Sequence, residues 1–216
     1  MEVINFAETP SLVSQYMSEL RDVNVQSDML RFRRNLERIG EIMAYEMSKR
    51  MRYKTVDVTT PLAVAPSQVL DEQVVFATIF RAGIPFHKGF LITSTMLRTL
   101  LSRPTASIAK REFRCVYRIY SFATYRRQDP RHCRPDACYR IVDGPVLPRA
   151  SDQREPAHVH VASIIASRKA IDYVKATFPA DKTTVWVGAI DEVINDHSYI
   201  VPGLGDAGDL AYGIKE

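Results

Sequence analysis

The run Val74-Val75-Phe76-Ala77-Thr78-Ile79-Phe80, followed at once by Arg81-Ala82-Gly83-Ile84-Pro85, decides the fold. Its first seven residues are apolar except for Thr78. Such a run suits a central strand covered on both faces, as in a parallel sheet. It stops abruptly at an arginine and a glycine, and open α/β sheets bind their ligands at the carboxyl ends of strands. Two more buried-type strands lie downstream, His158 to Ala166 and Thr183 to Ile190. Between them Ser167 to Phe178 is amphipathic and helical, with Ile171, Val174 and Phe178 on one face. Upstream, Ser27 starts a long helix with an apolar stripe of Met29, Leu30, Leu36, Ile39, Met43 and Met47. Thr9-Pro10-Ser11 reads as an earlier helix start, with Thr9 as cap and Pro10 in the first turn. Tyr53 to Thr59 alternates as a strand, and the glycine-rich tail Tyr199 to Gly213 reads as an ordered loop. Strand–helix–strand alternation predicts one α/β domain over residues 1–216, with a mostly parallel sheet flanked by helices.

Composition agrees with a single domain. The chain has 216 residues, 46% apolar and 25% charged, which excludes collagen, long disorder and coiled coil. No apolar run reaches the length of a membrane span. Met1-Glu2-Val3-Ile4-Asn5 has neither a basic start nor an apolar segment, so a cytoplasmic protein is expected. Net charge +4 would by itself suggest a polyanion partner. The charge is uneven, however. Residues 91–155 hold 12 Arg and 1 Lys against 4 Asp and 2 Glu, a net +7, and all three cysteines (Cys115, Cys133, Cys138). The rest of the chain carries −3 and no cysteine. Within this window Ser121 to Pro156 has five prolines, seven arginines and no sustained period of 2 or 3.6, so 91–155 is expected to be irregular.

Several motifs have a chemical reading and a plain one. Gly203-Leu204-Gly205-Asp206-Ala207-Gly208 formally matches G-x-G-x-x-G, but eight residues after Gly208 leave no room for the acidic residue a dinucleotide site needs. A loop whose glycines let the main chain approach a planar ligand is preferred over a mere tight turn. Arg81-Ala82-Gly83 is either an anion site, an arginine plus exposed backbone N–H groups, or a surface arginine at a strand end. His132, Cys133 and Cys138 match no four-ligand zinc set, so no metal ligands are assigned. His158 and His160 share one strand face and are read as a satisfied structural pair. The run Arg126, Arg127, Arg131, Arg134 lacks aromatics interleaved on a periodic element, Tyr125 and Tyr139 apart, so neither a nucleic-acid nor a membrane partner is expected.

Tyr199-Ile200-Val201-Pro202-Gly203-Leu204-Gly205-Asp206-Ala207-Gly208-Asp209 resembles the uracil-binding loop of the uracil phosphoribosyltransferase family, a type I phosphoribosyltransferase family, almost letter for letter. Phe80-Arg81-Ala82-Gly83 resembles that family's LRAG diphosphate loop. Glu37-Arg38-Ile39-Gly40-Glu41-Ile42-Met43-Ala44-Tyr45-Glu46 resembles its N-terminal helix, and Ala189-Ile190-Asp191 the strand end before the uracil loop. The resemblance covers about 1–90 and 156–216. It implies a phosphoribosyltransferase-like fold with a small C-terminal base-binding hood. It also implies transfer of a 5-phosphoribosyl group from phosphoribosyl diphosphate to uracil, giving UMP and diphosphate, in pyrimidine salvage. By the same resemblance, uracil meets Tyr199, Ile200, Gly205, Asp206 and Ala207, with main-chain groups of Ile200, Gly205 and Ala207 reading its edge. Phosphoribosyl diphosphate meets Arg81, Ala82, Gly83 and Asp206. Asp206 is the catalytic candidate, as base or as positioning group. Mg²⁺ enters with the substrate diphosphate, and a homodimer or larger assembly is implied.

The family's phosphoribosyl loop, DPMLATGGS, is missing from its place near 134–143, where the chain reads Arg134-Pro135-Asp136-Ala137-Cys138-Tyr139-Arg140-Ile141-Val142-Asp143. The family's second arginine, in a YRK-like segment near 105, is missing too. Back-translated with permitted codons and read one base later, Cys133 to Pro145 allows VDPMLATGSSMD. The other frame over Leu91 to Ala109 allows NYFDHAENAFVSAYRKYR. Residues 91–155 are therefore read as out of frame, with shifts near 91, 110 and 154, and the chain as impaired in transfer. The other classes left open are a non-catalytic homologue with a nucleotide-binding or regulatory role, a catalytically dead structural homologue, and a nucleic-acid binder resting on the window's arginines.

Overall fold

The computed structural model describes residues 1–94, 98–102, 120–126, 157–197 and 199–214. The decisive apolar run is strand β4 (Glu72–Ile79), in a six-stranded sheet. Its companions are β1 (Glu2–Asn5), β5 (Arg98–Ser102), β6 (Tyr120–Arg126), β7 (His158–Ser167) and β8 (Thr183–Asp191), in the order β1-β8-β7-β6-β4-β5. β8 runs parallel to both β1 and β7, and β5 parallel to β4. β6 is antiparallel to both its neighbours, β4 and β7. Two successive reversals restore direction, so β4, β7 and β8 all point the same way. The loops after β4 and β8 therefore leave the same edge of the sheet, which is what builds the site.

β5 and β6 correct the expectation that 91–155 is irregular throughout. Without β6 the facing edges of β4 and β7 would be unpaired, and its residues Tyr120, Phe122, Thr124 and Tyr125 are of types that suit a strand given neighbours on both edges. The expected mostly parallel sheet is present, with β6 its one antiparallel member among the described residues.

Helices cover both faces. α1 (Leu12–Arg21), α2 (Met29–Ser48) and α3 (Gly83–Thr93) bury Val13, Leu20, Phe32, Ile39, Met43 and Phe86 against Phe76, Ile164 and Trp186 of the sheet. α4 (Arg168–Thr177) buries Ala170, Ile171 and Val174 against Val159, Val161, Val185 and Val187 on the other face. The sides follow from the two-residue repeat of a strand: Val185 and Val187 point one way, Trp186 the other.

Helix starts differ slightly from the expected ones. α1 is capped by Ser11, not Thr9: its hydroxyl accepts the Val13 N–H at 3.2 Å while Ser14 Oγ accepts the Ser11 N–H at 3.2 Å. α2 is capped by Asp28, whose carboxylate accepts the Arg31 N–H at 3.0 Å. In the α2 stripe Phe32 is buried, whereas Met29 and Leu30 are exposed, because they precede the part of the helix that lies on the sheet. Unexpected elements are β1, α3, and β3 (Val64–Leu70), which pairs with the expected strand β2 (Tyr53–Thr59) in a separate two-stranded hairpin.

His87, on α3, lies in the core stacked on Phe76 with ring centroids 4.4 Å apart, and neither of its nitrogens has a hydrogen-bond partner. Burial holds its pKa at about 4. The unfolded imidazole titrates near 6.5, so below that pH the unfolded chain gains a proton the native chain refuses, and stability falls as pH drops. Between pH 7 and pH 5 this group removes about 2 kcal/mol. His87→Phe is expected to recover that loss in urea titrations at the two pH values. An unchanged pH slope would contradict it.

Candidate active site

The site lies where the loops after β4 and β8 meet the C-terminal segment. β8 ends at Asp191 and leads through β9 (Val193–Ile194) into an antiparallel pair with β10 (Ile200–Val201). The chain then turns through Pro202 to Asp206 into a short helix, α5 (Ala207–Tyr212). The tail expected as loop thus contains a strand and a helix. Asp206 makes the helix possible: its Oδ1 accepts the Gly208 N–H at 2.8 Å and the Asp209 N–H at 3.1 Å, an N-cap.

The turn before it is held by an ion pair that local sequence did not disclose. Arg21, in the last turn of α1, forks onto Asp191 with both N–O distances 2.9 Å. Arg21 Nη1 also donates to the Gly203 carbonyl at 3.1 Å, and Asp191 Oδ2 accepts the Gly203 N–H at 2.8 Å. Both backbone groups of Gly203 are thereby fixed. Gly203 has φ +59°, and a Cβ there would stand 2.0 Å from the Ile200 carbonyl oxygen, so glycine is required. Gly205, at φ +80°, is exposed, and a Cβ there would meet only the side chains of Leu210 at 3.7 Å and Gln26 at 3.9 Å, so its main chain can face a ligand.

Arg81 leaves the end of β4 and reaches this segment. Its Nη1 donates to the Gly213 carbonyl at 3.0 Å and its Nη2 pairs with the Asp209 carboxylate. The guanidinium lies against Gly208, where a Cβ would come within 3.1 Å of Nη2 and 3.3 Å of Nε. Ala82 and Gly83 are buried at the start of α3, and the Ile84 N–H returns to the Arg81 carbonyl at 3.1 Å. Arg81 is therefore not a loose surface arginine. Arg33 of α2 anchors the far end of α5, donating to the Ala211 carbonyl at 2.6 Å.

The structure brings Arg81, Ala82, Gly83, Asp206 and Ala207 to one sheet edge. Ile200 is partly buried in the β9–β10 pair, and Tyr199 is 40% exposed with its N–H on Asn195 Oδ1 at 2.9 Å. His158 and His160 form a packed pair: the Trp186 indole N–H donates to His160 Nδ1 at 3.1 Å, and His158 Nε2 lies 2.9 Å from Thr184 Oγ1. Burial, with His158 and Arg50 nearby, takes the His160 pKa down to about 3. His132, Cys133, Cys138, the arginines from Arg127 to Arg134 and the segment 134–143 lie outside the described residues.

A family model described as "UPRTase: Uracil phosphoribosyltransferase" matches residues 7–105 and 150–214. The chain belongs to the uracil phosphoribosyltransferase family. A curated relative from Porphyromonas gingivalis, named uracil phosphoribosyltransferase, is 43% identical over 228 aligned residues, covering all of both chains. One of the same name from Pyrococcus furiosus is 31% identical, covering 98% of this chain and 90% of its own. A solved structure, that of the AQ2163 protein from Aquifex aeolicus, superposes with TM-score 0.69 at 21% identity over 99% of each chain, a likeness of fold. In this uracil phosphoribosyltransferase family member, Arg21, Asp191 and Asp209 are the site-edge residues that motif reading left without a role. A signal for Asp191 existed, a lone carboxylate ending an otherwise apolar strand, but its partner lies 170 residues away.

Proposed function

We propose that the chain's reaction is transfer of the 5-phosphoribosyl group of phosphoribosyl diphosphate to N1 of uracil, forming UMP and releasing diphosphate. The observation that carries this reading is the meeting of the Arg81 loop and the Gly203–Asp209 segment at one sheet edge, in a member of this family. The N1–C1′ bond forms, the C1′–O bond to diphosphate breaks, and the N1 proton leaves. Negative charge grows on the diphosphate, so fixed donors that meet it there lower the barrier: the Arg81 guanidinium and the N–H groups at the start of α3. Main-chain groups of Ile200, Gly205 and Ala207 read the uracil edge, and cytosine's amino group is rejected because it mispairs with fixed dipoles. Asp206 acts as a positioning group, since its Oδ1 already accepts two backbone N–H bonds. Mg²⁺ accepts hard oxygen donors, and the carboxylates at this edge, Asp206 and Asp209, are of that type but engaged within the chain. That fits an ion carried in on the diphosphate, whose charge it neutralises when bound. The protein is read as cytoplasmic and as a homodimer or larger. No helix among the described residues is long and apolar enough to cross a membrane.

The window 91–155 belongs to the same proposal: it is read as out of frame, and transfer as impaired. Two findings support this. The family match skips 106–149, and the 228 aligned residues of the Porphyromonas gingivalis comparison exceed the 216 of the chain, so gaps open in it. Losing the phosphate-cradling loop is expected to slow UMP formation at least about 100-fold relative to a chain with the shifted frame restored. Radiolabelled uracil assays on both chains decide this. Equal rates refute the impairment, and no UMP from either refutes the transferase reading. A restored chain alone active, with the present one still binding nucleotide, favours the non-catalytic alternative for the present chain.

A further inference from the structure

We propose that the Asp209 carboxylate is an internal competitor for diphosphate at Arg81. The inference rests on Arg81 being a diphosphate ligand, as read above. In the ligand-free chain the Arg81 guanidinium is already engaged. Nη2 is paired with Asp209, Nη1 donates to the Gly213 carbonyl, and Nε and Nη2 pack over the bare Cα of Gly208. Carboxylate and phosphate oxygens satisfy a guanidinium fork with the same geometry, so the two compete for the same N–H groups. Diphosphate takes the Nη2 N–H that Asp209 holds only when Asp209 leaves it.

The surroundings make that exchange feasible. Both side chains of the pair are about one-third exposed, 29% and 31%, so water can solvate the displaced carboxylate. α5 does not depend on the pair for its start, because Asp206 caps it through separate bonds. Asp209 sits in the first turn of α5, where the helix N-terminus favours a negative charge with or without Arg81. Arg33 of α2, which reaches the far end of this helix, is fixed on the Ala211 carbonyl and over the Tyr212 ring, away from the exchange. Filling the diphosphate half thus frees the Asp209 carboxylate in the helix that follows the uracil loop, while the helix itself stays capped and anchored. Asp209 is a positioning residue that couples the two halves of the site.

The test is titration of inorganic diphosphate with Mg²⁺ into the intact chain by calorimetry. Asp209→Asn keeps the side-chain shape and removes the competitor, so affinity is expected to rise about fivefold, the worth of a partly exposed ion pair. The gain must vanish in Arg81→Gln/Asp209→Asn. It must also be absent from Glu192→Gln, which removes an equal charge from a carboxylate paired with Arg168. A carboxylate that merely braced α5 would on removal weaken binding or leave it unchanged, and either result overturns the proposal. An equal gain in Glu192→Gln overturns it as a general field effect. If Arg81→Gln binds diphosphate as well as the parent, or neither parent nor Asp209→Asn binds, the assignment of Arg81 itself fails and the proposal with it. Asp209→Ser serves as the second variant should the asparagine fail to fold.

Discussion

Replacing Asp191 by alanine is expected to unfasten the C-terminal segment from the sheet. Asp191 is 7% exposed, and its carboxylate accepts three hydrogen bonds, two from Arg21 and one from the Gly203 N–H. Removing it leaves a half-buried guanidinium without its counter-charge and a buried backbone N–H without an acceptor. Breaking one side of a buried pair costs about 3–5 kcal/mol. The loss should appear as a lower unfolding midpoint and as early hydrogen exchange at Gly203, since the turn that places Gly205, Asp206 and Ala207 is hinged there. Arg21→Ala should cost less, because the Asp191 carboxylate keeps the Gly203 N–H. The double variant should lose less than the two single losses added, since the partners act as one unit. An Asp191→Ala chain within about 1 kcal/mol of the parent would show that the clamp does not hold the loop, because surface pairs are worth no more than that.

Gly89→Ala is expected to be the most damaging conservative change in the helical layer. α2 and α3 touch backbone to backbone: a Cβ at Gly89 would lie 2.2 Å from the Glu37 carbonyl oxygen and 2.8 Å from the Glu41 N. Gly40 faces the same contact from the other helix, with a Cβ 2.5 Å from the Phe86 carbonyl oxygen. Main-chain atoms cannot swing aside as a side chain can, so the helices must separate and the Phe86 and Phe90 packing must open. Overpacking of this kind costs about 3 kcal/mol. Helix propensity alone predicts the opposite sign, since alanine is better than glycine by about 1 kcal/mol inside a helix. A drop of about 10 °C in the melting temperature is expected for a chain of this size. A rise would mean the helices have room that the structure denies them.

Much of the fold was legible in residues read locally. Val74 to Ile79, His158 to Ala166 and Thr183 to Ile190 became strands because continuous apolar runs suit the interior of a sheet, and helices cover both faces of β7 and β8 and the Val74–Phe76 face of β4. Ser167 capped α4 with Ile171 and Val174 inward, as their spacing required. β1 was not legible: four residues carry too little pattern, and its strand character comes from the free edge of β8. α3 was hidden because Gly83 and Pro85 look like punctuation, although proline is tolerated in a first helical turn, where no N–H is needed. β6 was hidden because Tyr120, Phe122, Thr124 and Tyr125, which suit a strand by type, sit in a stretch without sustained period, and the gap between β4 and β7 selects them.

For the site the division is sharper. The residues by themselves determined that a glycine-rich loop with Asp206 at its centre and an arginine loop after a buried strand are present, because those are local strings with local backbone demands. Tertiary structure decided which charge meets which. Arg21 and Asp191 are 170 residues apart and Arg81 and Asp209 are 128 apart; the first pair exists because α1 packs against β8 with its last turn at the strand's end, the second because β4 and β8 point the same way and deliver their loops to one edge. An ion pair depends on where two chain ends arrive, and periodicity within a segment carries no information about the arrival of another.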